Sequence, residues 1–195
     1  MSSFFAMLDR MKYIDRWGLM RNTRPESLSE HAQRTAWLAH ALAVLRNRRF
    51  GGRVNADRAA LLALFHDCPE SLTGDLPTPV KYYSAEVREA YRTVEEHASR
   101  QLMDMLPEDM REDYAPLLFP AREDAALWEI VKAADILCAY LKCLEELRAG
   151  NREFAVAAEQ QRLRLEALAL PEVDAFIAQF VPAFDMTLDE MKPPG

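Results

Sequence analysis

The stretch ALFHDCPESLTGDLPTPVK, residues 63–81, sets His66 and Asp67 at the end of an apolar run and follows them with Pro69, Glu70 and Asp75. Charge at the edge of a core is costly unless it is paired, hydrogen-bonded or bound to metal. Two further ionisable residues sit in comparable surroundings. His31 has Thr35, Leu38 and Leu42 at i+4, i+7 and i+11, so a helix there turns its imidazole inward, whereas His40 falls on the other face. Asp135 lies in WEIVKAADILCAYL with Trp128, Val131 and Cys138 on its side, and Lys132 is its ordinary alternative partner. Taken singly, His31 reads as a satisfied core histidine and His66-Asp67 as a polar helix end. Together, His31, His66, Asp67 and Asp135 supply two imidazoles and two carboxylates from three helices that share one core. That mixed nitrogen and oxygen set suits a divalent transition metal that keeps open positions for water and substrate. Such an ion activates water near neutral pH and polarises a phosphate ester, and Glu70 beside it can pass protons between water and leaving group. His66 and Glu70 are four apart and share a helix face only if the helix persists through Pro69, which predicts a kink instead.

The chain that must position these groups has 195 residues, half of them apolar, enough for one domain over 1–195. A net charge of −7 disfavours a nucleic acid polymer as partner but leaves room for a small anion at a local cationic spot. Asp9, Arg10, Lys12 and Asp15 interrupt the N-terminal apolar residues, so neither a signal peptide nor a membrane span is expected and the cytoplasm is the expected compartment. Cys68, Cys138 and Cys143, three cysteines without CxxC spacing, read as small buried apolar residues.

Apolar residues recur at three and four throughout, which predicts an all-α chain. Phe4, Leu8, Met11 and Ile14 mark a first helix with Ser2 and Ser3 as caps, and RWGLMRNTRPES breaks it. Ser27 and Glu30 have capping-box spacing and open a helix that ends near Gly51 and Gly52. After Asn55, AALLALF is apolar all round and should be central. LTGDLPTPVKYY should be an ordered surface loop. A long helix starts at Ser84 and ends by Pro107; a short one covers 108–114; APLLFP is a connector; and the longest helix runs from about Glu123 to Arg148. Helix then continues to about Leu170, restarts after Pro171, stops at Pro182, and ends in a short piece at 187–191.

His31, then His66-Asp67, then Asp135, in that order on helices, resembles the signature of the HD-domain metal-dependent phosphohydrolases. RWGLMRN, SEHAQRTAWLAHALA, NRRFGG, HDCPESLTGDLPTPVKYY, KAADILCAYLKCLEEL and FVPAFDMTLDEM extend the likeness, from about Phe4 to Met191, to the YfbR-type bacterial 5'-deoxynucleotidases. The resemblance implies a helical HD-domain fold and hydrolysis of 2'-deoxyribonucleoside 5'-monophosphates to deoxyribonucleoside and phosphate. It further implies one divalent ion, such as cobalt or manganese, and a homodimer. Carried over residue by residue, it makes His31, His66, Asp67 and Asp135 metal ligands and Glu70 the essential acid. His31 and Asp67 thereby also face the substrate. Arg16 orients phosphate and acts in catalysis, Trp17 contacts sugar, and Asp75, Leu76, Pro77 and Thr78 form the substrate loop.

These roles have physical grounds. Arg16 offers a planar fork that matches phosphate oxygens. The rigid ring of Trp17 can fill the volume that a ribose 2'-hydroxyl needs, and exclusion of that kind selects deoxyribose. Asp75, between Gly74 and Pro77, can accept a hydrogen bond from a sugar 3'-hydroxyl. The ordinary readings are a surface arginine, a core tryptophan and a turn-forming aspartate. The rival functions are a phosphodiesterase or pyrophosphohydrolase acting on another nucleotide with the same site, and a nucleotide sensor or helical scaffold without turnover.

Overall fold

The structure, a computed structural model, describes residues 1–81 and 83–192. The chain is helical, with one isolated antiparallel bridge, Asp15 to Ser27, among the described residues. The helices are α1 (Phe4–Leu8), α2 (Leu28–Arg49), α3 (Ala56–Phe65), α4 (Glu70–Thr73), α5 (Thr78–Lys81), α6 (Ala85–Met105), α7 (Arg111–Leu118), α8 (Ala125–Arg148), α9 (Ala155–Ala167) and α10 (Pro171–Phe180).

The main core lies between α2, α3 and α8, with α10 against α2. Leu42, Leu62, Ile130 and Leu137 are fully buried there. Burial of such side chains stabilises the fold by roughly 1.5–3 kcal/mol each. A second cluster joins Phe4, Met11, Leu28, Leu102 and Leu118 to Cys68, so the residue next to Asp67 is itself anchored in apolar contacts.

Local sequence sets the element ends near the chemistry. Ser27 Oγ accepts from Glu30 N at 3.2 Å while Glu30 Oε2 accepts from Ser27 N at 3.0 Å, the reciprocal capping box. Just before it, Leu28 N donates to Ile14 O and Arg16 N to Glu26 O, at 2.8 and 2.9 Å. These bonds lay residues 14–16 antiparallel to 26–28 and bring Arg16 and Trp17 beside the start of α2, one turn from His31. Asn55 Oδ1 caps α3 by accepting from Arg58 N at 2.9 Å. The expected kink is present: α3 ends at Phe65, tight turns carry the chain through Pro69, and helix restarts at Glu70.

Several expectations need correction. Ser3 stands at the start of α1 without a side-chain cap bond, and Ser2 Oγ donates to Met105 O instead, at 2.6 Å. The first helix tightens to a 3-10 segment over Asp9–Tyr13. AALLALF is not buried all round, since Leu61 and Leu64 are 40% and 42% exposed. The loop after Glu70 contains two single-turn helices, α4 and α5, and its Tyr82 lies outside the described residues. APLLFP is mostly the end of α7, where burial of Leu117 and Leu118 outweighs the donor lost at Pro116. Helix does not run unbroken from Gly150 to Leu170: a 3-10 turn at Arg152–Phe154 precedes α9. Residues 187–191 form a turn, with Met191 N donating to Thr187 O.

Ser27→Ala removes the capping box, and about 1 kcal/mol of stability should go with it. Urea unfolding checks this, with Ser27→Asp expected to restore most of the loss.

Candidate active site

α2 delivers His31, the end of α3 delivers His66 and Asp67, and α8 delivers Asp135. His31 Nε2 lies 3.1 Å from Asp135 Oδ1 and 3.5 Å from Asp67 Oδ2, and His66 Nε2 lies 3.0 Å from Asp67 Oδ2. Ligand atoms of His31, His66 and Asp67 all fall within 4.8 Å of one another, and Asp135 joins them through His31. The predicted quartet therefore converges. His40 stays apart, exposed beside Asp57, and Asp135 is directed to His31 rather than to the exposed Lys132.

The donor set fits a cation. His66 Nδ1 donates to Ala63 O at 2.6 Å, which fixes the ring and turns Nε2 inward. That nitrogen is buried without a hydrogen-bond partner: its contact with Asp67 has the distance of a hydrogen bond but not the angle. Two acceptors this close repel unless a proton or a metal ion sits between them. A second group, Glu26, His31 and Cys138, is also close enough to share an ion. Its carboxylate is already engaged, however, with Glu26 accepting from Arg34 Nη1 at 3.0 Å and Trp17 Nε1 at 3.3 Å and pairing with Arg16. Burial also pushes the Cys138 thiol up to about 12, away from the thiolate a metal requires.

Charge states follow from the same geometry. Burial, with Arg16 nearby, lowers His31 and favours the neutral imidazole. Burial opposes a charge on His66 too, but the Asp67 carboxylate outweighs it and lifts the ring to about 9. Burial works against ionisation of Asp67, yet His66, His31 and Arg16 hold it well below the usual carboxylate range. Asp135 is likewise opposed by burial and brought to about 2 by His31 and His66. Glu70 differs: burial, reinforced by Asp67 and Asp75, pushes it up to about 10, and its Oε2 is buried without a partner.

A cleft of about 270 Å³ opens over these groups. Asp67, Asp135 and Glu70 line it, together with Arg16, Trp17, Asp75, Leu76, Pro77 and Thr78. All the predicted substrate-facing residues except the fully buried His31 reach it. Arg16 Nη1 stands 3.4 Å from Asp67 Oδ2. Trp17 is half-buried in the left-handed region, φ 61°, with its ring 5.3 Å from that of Phe154. Gly74, φ 75°, makes the turn that turns Asp75 toward the cleft.

Sequence reasoning missed other participants. Glu26 orients both Arg16 and Trp17 but precedes the capping box without any motif of its own. Lys81, whose Nζ donates to Glu95 at 2.7 Å, lines the cleft, as do Gln160, Gln161 and Arg164 of α9. Long-range packing alone brings α9 there.

The fold is that of HD-domain phosphohydrolases. An HD-domain phosphohydrolase from Listeria innocua superposes with a TM-score of 0.81, at 23% identity, covering 93% of this chain and 88% of that one. The cyanophage S-2L HD phosphohydrolase DatZ, bound to dA and one catalytic Zn²⁺ ion, superposes with a TM-score of 0.59 at 21% identity, covering 91% and 95%. The family described as 5'-deoxynucleotidase YfbR-like matches residues 3–184. The 5'-deoxynucleotidase YfbR of Shigella flexneri serotype 5b is 52% identical over 190 residues, 97% of this chain and 96% of that one. The chain belongs to the YfbR-like 5'-deoxynucleotidase family.

Metal binding should be proton-linked. Below about pH 9 the His66 ring is protonated, and an ion must displace that proton, so apparent affinity should rise with pH by up to about tenfold per unit until the ring is neutral. Calorimetry at pH 7 in buffers of different ionisation enthalpy should show proton release, and His66→Ala should abolish both binding and release.

Proposed function

We propose that this protein is a metal-dependent 5'-deoxynucleotidase, a phosphoric monoester hydrolase that converts 2'-deoxyribonucleoside 5'-monophosphates and water to deoxyribonucleosides and inorganic phosphate. The observation that carries the reading is one cleft lined by the carboxylates of the metal-ligand cluster, an unpartnered Glu70 oxygen, Arg16, Trp17 and the 75–78 loop. Its volume, about 270 Å³, is of the order of a small-molecule site.

His31, His66, Asp67 and Asp135 would hold one divalent ion, with cobalt or manganese expected to serve; zinc is the catalytic ion in the cyanophage relative of the same fold. When bound, the ion supplies charge neutralisation at the phosphate and an acidified water. The remaining work falls to the chain. Burial opposes a charge on Arg16, but Asp67, Asp135, Asp75 and Glu26 keep it cationic, and its fork can take phosphate oxygens. Glu70, protonated at neutral pH, can give its Oε2 proton to the departing O5' and recover one from water. Trp17, fixed between Phe154 and Glu26, closes the space beside the sugar C2'. Asp75, which lines the cleft, would accept from the 3'-hydroxyl, with Leu76, Pro77 and Thr78 as the covering loop.

A homodimer is part of the proposal, supported by large apolar side chains exposed on α2 and α3: Trp37, Val44, Leu61 and Leu64. No helix among the described residues is long and apolar enough to cross a membrane.

Chelator-stripped protein with cobalt or manganese restored should release phosphate from dAMP and far less from AMP. Release from neither, with turnover of a diester or a pyrophosphate, would overturn the proposal. Trp17→Ala should raise AMP turnover relative to dAMP. Glu70→Gln should lower kcat by about 10²- to 10⁴-fold while metal affinity, measured by calorimetry, is retained.

A further inference from the structure

The segment that carries Trp17 has little regular backbone bonding of its own, yet its polar groups are satisfied by a buried cluster behind the cleft. Glu146, near the end of α8, is fully buried. Its Oε2 accepts from Thr23 N at 2.9 Å, Thr23 Oγ1 at 2.7 Å and Asn151 Nδ2 at 2.8 Å, and its Oε1 accepts from Lys142 Nζ and, at 3.3 Å, from Arg24 N. Lys142 and Asn151, also buried, reach the same segment from the other direction, donating to Arg24 O and Arg21 O. Residues 21–24 are thus fastened to α8 and the turn that follows it through two carbonyls, two amides and one hydroxyl.

The fastening continues to the tryptophan. Asn22 Nδ2 donates to Met20 O at 3.0 Å, and Met20 N donates to Trp17 O at 2.8 Å, closing the turn that puts Trp17 at φ 61°. A bulky side chain rarely adopts that conformation unless its surroundings impose it. The Trp17 ring lies against the fully buried Phe154, whose ring is in turn 5.8 Å from Lys142 Nζ. An ion pair with this degree of burial contributes little net stability compared with apolar residues of equal volume.

We infer that Glu146, with Lys142 and Asn151, is a positioning group for sugar discrimination: it holds the 18–26 segment so that Trp17 occupies the space beside the sugar C2'. The inference rests on the reading of Trp17 as the residue that excludes ribose. Glu146 touches neither substrate nor ion. Its loss lets the segment relax, moves the indole, and admits a 2'-hydroxyl.

The test compares kcat/KM for dAMP and AMP in metal-loaded wild type, Glu146→Gln and Thr23→Val. Thr23→Val keeps shape and the ion pair while deleting one bond, so it remains informative if Glu146→Gln folds poorly. The dAMP/AMP ratio should fall about tenfold in Glu146→Gln and about threefold in Thr23→Val, because a steric filter weakens as its wall loosens. A purely structural role lowers the active fraction for both substrates alike and leaves the ratio unchanged, and that result in Thr23→Val would overturn the inference while leaving the deoxynucleotidase reading intact. Equal turnover of dAMP and AMP by wild type would remove the discrimination reading and this inference together.

Discussion

His66 Nε2 and a carboxylate oxygen of Asp67 face each other at 3.0 Å, with His31 and Asp135 completing the group. Two partly buried carboxylates this close together are costly without positive charge beside them. In the protein alone Arg16, 3.4 Å from Asp67, and the His66 ring supply that charge, and the proposed divalent ion would take its place beside them. The kink at Pro69, the anchoring of Cys68 and the capping box before His31 all serve to keep these four side chains converging.

The same charge arrangement separates the roles of the carboxylates. Asp67 and Asp135, beside imidazoles, remain ionised and are suited to bind an ion. Glu70, a few residues away but surrounded by other carboxylates and buried, retains its proton and is suited to deliver one. The three carboxylates are thereby pushed in opposite directions, which separates the proposed ligand and acid roles. Arg16 stands between the two sets, paired with Asp67 and Glu26 yet exposed to the cleft, where a phosphate would find it.

Much of this was legible in the sequence because helix periodicity turns spacing into direction. His31 and Asp135 each lie on an apolar stripe, and both are directed into the site. The order of residues and the longer motifs led to the family. What escaped depends on contacts between distant segments. Nothing near Glu146 distinguishes it from a solvated helix carboxylate, since its partners Thr23, Arg24 and Asn151 are joined to it only by folding. Glu26 and α9 were missed for the same reason. The errors in the helix pattern were local: Pro116 is tolerated because buried leucines follow it, and Leu61 and Leu64 face outward although their run is apolar throughout.

The most direct measurement of the central claim is X-ray absorption at the cobalt edge of protein loaded with one equivalent of cobalt. The site built by His31, His66, Asp67 and Asp135 predicts only nitrogen and oxygen neighbours, at roughly 2.0–2.2 Å by analogy with zinc, with the imidazole signature of two histidines. A sulfur neighbour near about 2.3 Å would place the ion with Glu26, His31 and Cys138 instead, and would contradict the account.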